Sequence, residues 1–231
     1  MAQETSPSTL HKVRIWDLPT RLFHWLLAAA VTALVVTGNL GGNAMNWHLL
    51  LGYGVLALLL FRLLWGAAGG RWSRFASFVP TPSRLLRYLR GQGRADDSAG
   101  HSPLGALSVL AMLGVLAAQV GSGLLSDDEI AFSGPLARFV SGDTVAMATA
   151  YHAHWGPYLI YGLVALHLAA IVFYSLRGRG LVRAMLTGDK QLSDAVPASR
   201  DTWGRRLLAA VLAAAACAIA WWVRQLEATP F

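Results

Sequence analysis

Apolar residues run in five long blocks through this chain, each bounded by charged or turn-forming residues. The blocks cover roughly Leu22–Thr37, Trp47–Trp65, Leu104–Leu125, Trp155–Leu176 and Leu207–Val223. A helix rises 1.5 Å per residue, so about 20 apolar residues cross the ~30 Å hydrocarbon core of a bilayer. All five blocks reach or approach that length; the first is short unless the Pro19-Thr20-Arg21 turn opens it. The pattern predicts an all-α integral membrane protein. The first block has no small-residue cleavage site before it and reads as an uncleaved signal anchor. The opening MAQETSPSTL is polar and predicts a disordered start. A long loop, Gly66–Pro103, separates the second and third blocks, and within it Ser83–Leu89 predicts a short amphipathic helix on the membrane surface. Ser102 and Pro103 have the types of an N-cap and a first helical residue, so the third span is expected to start there. Gly-Arg-Gly and Asp-Ala-Val-Pro turns break the segment before the fifth block.

Composition agrees with this reading. Of 231 residues, 55% are hydrophobic and 13% charged, against about 25% charged in soluble domains. A soluble enzyme of this size would lack the polar surface to cover its core. The net charge of +7 comes from an uneven distribution: all but Arg138 and Arg224 of the 19 Lys and Arg residues fall on one side of the predicted spans. Asp127, Asp128, Glu129 and Asp143 occupy the opposite Ser126–Tyr151 loop. Basic loops stay in the cytoplasm, so the N-terminus is expected inside and the C-terminus outside. Anionic lipid headgroups are sufficient partners for these residues, and no nucleic acid is implied. Cys217 is the single cysteine, which excludes intrachain disulfides, cysteine-ligated iron–sulfur clusters and covalent C-x-x-C-H haem attachment.

Histidines carry the candidate chemistry, because ionisable groups within a membrane are costly and usually functional. His11 and His101 lie outside the spans and are expected to be solvated or interfacial. His24 sits about one turn into the first span from the basic side, and His48 in the first turn of the second span on the other side. His152 and His154 open the fourth span, with His167 roughly 20 Å deeper. The set divides into an outer group, His48 with His152 or His154, and an inner group, His24 with His167. Two imidazoles from facing helices can clamp one haem iron from both sides, leaving no open position, which suits electron transfer. The bland alternative is a set of separate histidines, each hydrogen-bonded to a neighbour. At 100° per residue, 15 positions return from His152 to within about 60° of the face of His167, whereas 13 positions from His154 end about 140° away. This favours His152, and His154 stays as the alternative, because Pro157 is expected to kink or bulge the helix between them. Gly52 and Gly156, one turn beyond His48 and His152, would leave room for a porphyrin or simply serve packing. Arg62 lies about 21 Å deeper than His48 and is either a partner of haem propionates or a snorkelling side chain. Gln119 is the one amide inside the apolar blocks and suits interhelical bonding or a contact to haem or quinone.

The chain resembles the bacterial di-haem cytochrome b561, or nickel–iron hydrogenase b-type cytochrome subunit, family. The likeness is carried by Trp16-Asp17-Leu18-Pro19-Thr20-Arg21-Leu22-Phe23-His24-Trp25, by His48-Leu-Leu-Leu-Gly52-Tyr53 and by Phe61-Arg62-Leu-Leu-Trp65-Gly66. It continues through Gly100-His101-Ser102-Pro103-Leu104-Gly105, Leu166-His167 and Leu181-Val-Arg-Ala-Met185-Leu-Thr187-Gly188. The resemblance implies an all-α integral membrane four-helix bundle binding two haems b, with a fifth C-terminal transmembrane helix outside the matched part. It divides the chain into a polar tail (1–12), a di-haem transmembrane domain (13–190) and a linker with the added helix (191–231). It assigns iron ligation to His24, His48, His167 and one of His152 and His154. Members space the two fourth-helix ligands by 14 residues. Here position 153 is Ala153, so a shift of one is needed, and a bulge at Pro157 would make 15 act like 14.

The implied function is electron transfer across the bacterial inner membrane between the quinone pool and a redox partner such as a c-type cytochrome or a hydrogenase. The chain would then be an electron-transfer subunit rather than a stand-alone enzyme, and a homodimer is a compatible assembly. One alternative is a superoxide:quinone oxidoreductase, which calls for positive charge near the outer haem, where Arg138 is the single basic loop residue. The other is a histidine-based metal-ion carrier, which usually adds intramembrane carboxylates, and the apolar blocks contain none.

Overall fold

Asp17 opens the first span. In the computed structural model, which describes residues 10–93, 96–194 and 196–226, the Asp17 carboxylate accepts from the Thr20 N–H at 3.0 Å. Pro19 fits the first turn because that position needs no N–H donor. Helix α1 therefore runs Leu18–Leu40, preceded by a short strand β1, His11–Arg14. The Pro19-Thr20-Arg21 turn thus belongs to the span. Helix α2 covers Ala44–Ala68, and the loop after it holds three short helices, α3 (Phe75–Phe78), α4 (Pro82–Leu89) and α5 (Asp96–Ala99). The expected amphipathic helix is α4, capped by Thr81, which accepts from the Arg84 N–H at 3.3 Å. Helix α6, Pro103–Leu125, starts as its residue types predict, with Ser102 accepting from the Gly105 N–H at 3.2 Å. Beyond a 3-10 turn at Ala137–Phe139 comes helix α7, Gly142–Ala150, which runs through a π-helical turn at Tyr151–Trp155 into α8, Gly156–Leu176. Helix α9 (Leu181–Thr187), strand β2 (Asp189–Leu192) and helix α10 (Trp203–Gln225) complete the order. The chain is a multi-pass membrane protein, and among the described residues five helices are long and apolar enough to span. The expected disordered start lies outside the described residues except for Leu10.

Helices α1, α2, α6 and α8 share one core. Val55 and Leu59 of α2, Leu116 of α6 and Ile160 of α8 are buried together, with Leu27 and Leu34 of α1 packed against them. Helix α10 stands outside this bundle against α2, where Ala209 and Ala216 bury with Phe23, Phe61 and Trp65. These alanines lie seven apart on one stripe of α10, and small side chains let membrane helices approach closely.

The basic loops close over one end of the bundle as a folded cap. Strand β1 pairs antiparallel with β2, setting Val13 opposite Lys190 and Arg14 opposite Asp189. The hydrophobic pattern predicts no strand here, because four-residue segments are too short to show alternation. Arg14 donates to Asp189 at 2.5 Å and to Asp201 at 3.0 Å, and Arg206 donates to Asp201 at 3.0 Å. The Ser199 N–H reaches the Arg14 carbonyl at 2.7 Å, and the Trp72 indole reaches the Pro197 carbonyl at 2.9 Å. The segment before α10, expected as a linker, is thereby bonded into the cap.

Acid is expected to loosen this cap. Burial opposes ionisation of Asp189 and Asp201, but hydrogen bonds and charges from Arg14 and Lys12 on the first, and Arg206 and Arg14 on the second, outweigh it. Both carboxyls are held below the usual 3.8. A group depressed in the folded state stabilises above its unfolded value and loses that contribution as pH falls through the folded one. Protection of the β1 and β2 amides, taken relative to the unstructured exchange rate at each pH, should therefore hold steady near neutrality and fall progressively below pH 3.8, ahead of that of the α2 amides. Protection indifferent to acid would show that these ion pairs do not hold the cap.

His101 departs from expectation. Instead of being solvated, its ring lies between Trp16 at 4.7 Å and Phe78 at 4.8 Å, and its Nδ1 is shut in without a partner. Burial, then the charges of Arg62 and Lys190 and the nearby His24, push it down to about 3. The ring is neutral at physiological pH. Its place beside Ser102, the cap of α6, made it look like surface.

Candidate functional site

The outer histidines meet because of a helix defect. Pro157 has no N–H, so the chain cannot continue a regular ladder through it. The preceding residues widen into the π turn, where the Gly156 N–H reaches back to the Tyr151 carbonyl. The next bond of that type would run from residue 157 to the His152 carbonyl, and proline cannot supply it. Gln119 of α6 supplies it instead, its Nε2 donating to the His152 carbonyl at 2.9 Å. This is the interhelical bond expected of Gln119, although the longer helices also bring Asn39 and Asn46 inside spans. Gly156 makes the arrangement possible, since a Cβ there would collide with Gln119 Oε1.

The widened turn adds one residue to the rod, and His152 comes to face His48 with ring centroids 6.0 Å apart. His154 is exposed. Each ring of the facing pair donates through Nδ1 to a carbonyl of a neighbouring helix, His48 to Leu34 at 3.0 Å and His152 to Gln119 at 2.8 Å. That fixes the proton on Nδ1 and leaves the Nε2 lone pair available, the arrangement seen in metal-ligating histidines. Each ring also lies on a glycine of the helix it bonds. A Cβ at Gly38 would stand 3.1 Å from His48, and one at Gly123 would stand 2.6 Å from His152. Both rings line a cavity of about 410 Å³ whose other walls include Val31, Gly52 and Leu116. Gly52 faces open space, whereas Gly156 serves packing. The sequence reading missed Gly38 and Gly123. The signal for Gly123 was its spacing, one helical turn after Gln119.

The inner pair is assembled by α1 and α8. His24 and His167 face each other at 6.3 Å, both half-buried, and His24 Nδ1 is enclosed without a partner. Arg62 of α2 is 3% exposed, donates to the Ser73 carbonyl at 3.1 Å and lies over Phe75 at 4.7 Å. It therefore stays inside the cap rather than snorkelling to water.

Two imidazoles gripping one metal from opposite sides have centroids about 6 Å apart, given a metal–nitrogen bond of about 2 Å and roughly 1 Å more to each centroid. Both pairs match that spacing. Rings in such a pair turn freely about their shared axis, so the interplanar angles of 86° and 52° are both compatible. Among the described residues no three His, Cys, Asp or Glu side chains gather into a metal cluster. The donor set, its tautomers and the apolar cavity fit a haem. Among protein families, the one described as prokaryotic cytochrome b561 matches residues 15–188. No curated protein and no solved structure matches. The matched residues contain all four helices of the core and leave α10 outside. The chain belongs to the prokaryotic cytochrome b561 family and is a membrane b-type cytochrome of electron transfer.

Proposed function

We propose that this protein conducts electrons across the bacterial inner membrane between the quinone pool and a redox partner, a c-type cytochrome or a hydrogenase-like protein, through two haems b. His48 and His152 would hold the outer haem, and His24 and His167 the inner one. The carrying observation is the presence of two histidine pairs at iron-clamping distance, at two levels of one bundle. Haem b supplies a reversible one-electron couple when bound. Held by two imidazoles each, such haems would leave no place at the iron for small molecules such as oxygen. The Leu34 and Gln119 carbonyls orient the outer rings and raise their basicity. Arg62 has five N–H donors, which one bond to Ser73 does not exhaust, and it would neutralise propionates at the basic end. The basic cap faces the cytoplasm by the positive-inside rule, leaving the acidic loop at Asp127–Glu129 to meet the partner outside.

Purified protein should show a reduced b-type α-band and a redox titration that needs two components, with reduction by a quinol analogue. A colourless protein, or one whose band no quinol reduces, would end this reading. Gly156→Ala should displace Gln119 and misdirect His152, lowering retention of the outer haem about 10–100-fold and sparing the inner one. If both components of the titration persist unchanged, the π turn does not aim His152.

A further inference from the structure

A second cavity, of about 600 Å³, lies in the cap, away from all four paired histidines, and its charge is one-sided. Lys12, Arg179, Arg183 and Lys190 line it, and Thr187 contributes a hydroxyl. Among the described residues lining it, Asp189 is the single carboxylate, and it is already engaged by Lys12 at 3.3 Å and Arg14 at 2.5 Å. The four cations converge from three segments, β1, the 178–180 turn with α9, and β2. Asp189 offsets Lys12, and Lys190 donates to the Ala99 carbonyl at 3.3 Å, so an anion beside Arg179 and Arg183 would relieve the repulsion that is left. Burial, and after it the Arg179 guanidinium, pushes the Lys190 ammonium down to about 8.

The height of the cavity narrows the ligand. Helix α9, which carries Arg183, is tied to the end of α1: the Trp25 indole donates to the Met185 carbonyl at 3.4 Å, and Arg21 donates to the Leu186 carbonyl. Trp25 is 43% exposed on a spanning helix, and such tryptophans mark the headgroup level. Arg179 follows Leu176, the last residue of α8, which is 84% exposed toward the bilayer. A phosphate held between Arg179 and Arg183 would thus sit where acyl chains can run down the bundle. Basic pockets at this level take anionic headgroups.

We propose that this pocket binds the phosphate of an anionic phospholipid headgroup. The proposal is independent of how the histidines act. Full-length protein in neutral detergent is titrated with phosphatidylglycerol, phosphatidylcholine or inorganic phosphate, and bound ligand is counted by native mass spectrometry. Wild type should retain phosphatidylglycerol in preference to phosphatidylcholine. R179Q/R183Q, which alters two exposed side chains and, of the described ring contacts, loses only that of Arg179 over Tyr174 at 5.1 Å, should bind it roughly 30-fold more weakly. R200Q removes an exposed charge from the same end but not from the pocket, and should match wild type. Inorganic phosphate binding as tightly as the lipid would overturn the lipid source. Equal retention by wild type and the double variant, or an equal loss in R200Q, overturns the site.

Discussion

With two haems held as proposed, His48→Ala is expected to yield protein that carries one haem per chain instead of two, the remaining haem being spectrally that of the inner pair. Alanine removes the α2 imidazole that faces His152 across the outer cavity. A single imidazole does not replace the two-sided grip, and the Leu34 carbonyl is left without the donor at 3.0 Å that fixed the ring. His24 and His167 stand on α1 and α8 at the other level and share no bond with His48, so their haem should stay. His24→Ala or His167→Ala should remove the complementary one. His154→Ala should remove neither, because that side chain is exposed. Haem-to-protein ratio and the two redox components measure all four variants. Two haems retained in His48→Ala would refute the pairing.

Asp17→Ala is expected to be the most damaging single change to the fold, costing about 3–5 kcal/mol. The carboxylate is 1% exposed and takes four donors: the Thr20 N–H at 3.0 Å, the Gly70 N–H at 3.1 Å, the Ser73 hydroxyl at 3.0 Å and the Trp65 indole at 3.3 Å. Removing it strands the Thr20 and Gly70 N–H groups in a place water does not reach and leaves the Trp65 indole and the Ser73 hydroxyl to share Thr20 Oγ1, at 3.2 and 2.7 Å. Ser73 also holds Arg62 through its carbonyl, so the damage extends to that buried charge. Asp17→Asn keeps one acceptor oxygen and should cost less than half as much. Thermal unfolding in detergent ranks the two. Equal midpoints for wild type and Asp17→Ala would show that the network does not secure the end of α1.

The spans, their order and the histidine levels could be read from the chain because apolar length and 3.6-residue spacing are local properties. Ser102 and Pro103 marked the start of α6 for the same reason. The one-residue excess between His152 and His167 pointed to a bulge near Pro157. The defect lies just before that proline because the missing N–H acts on residues upstream of it. The cap was not legible. β1 and β2 flank the matched region on opposite sides, and a pairing between four-residue segments leaves no periodic trace. His101 was misjudged because an aromatic enclosure built by Trp16 and Phe78 is a tertiary fact. Gln119 was noticed for its polarity, but its partner, the His152 carbonyl, follows only from the turn that frees it.

The continuous rod from Gly142 to Leu176 is 35 residues, about 52 Å at 1.5 Å per residue, against ~30 Å of hydrocarbon. If Leu176 marks one boundary, the opposite boundary falls near Gly156, so His152 stands level with the polar headgroups. Mobile ions approach it within a Debye length. With a haem held there as proposed, its redox couple should shift with ionic strength.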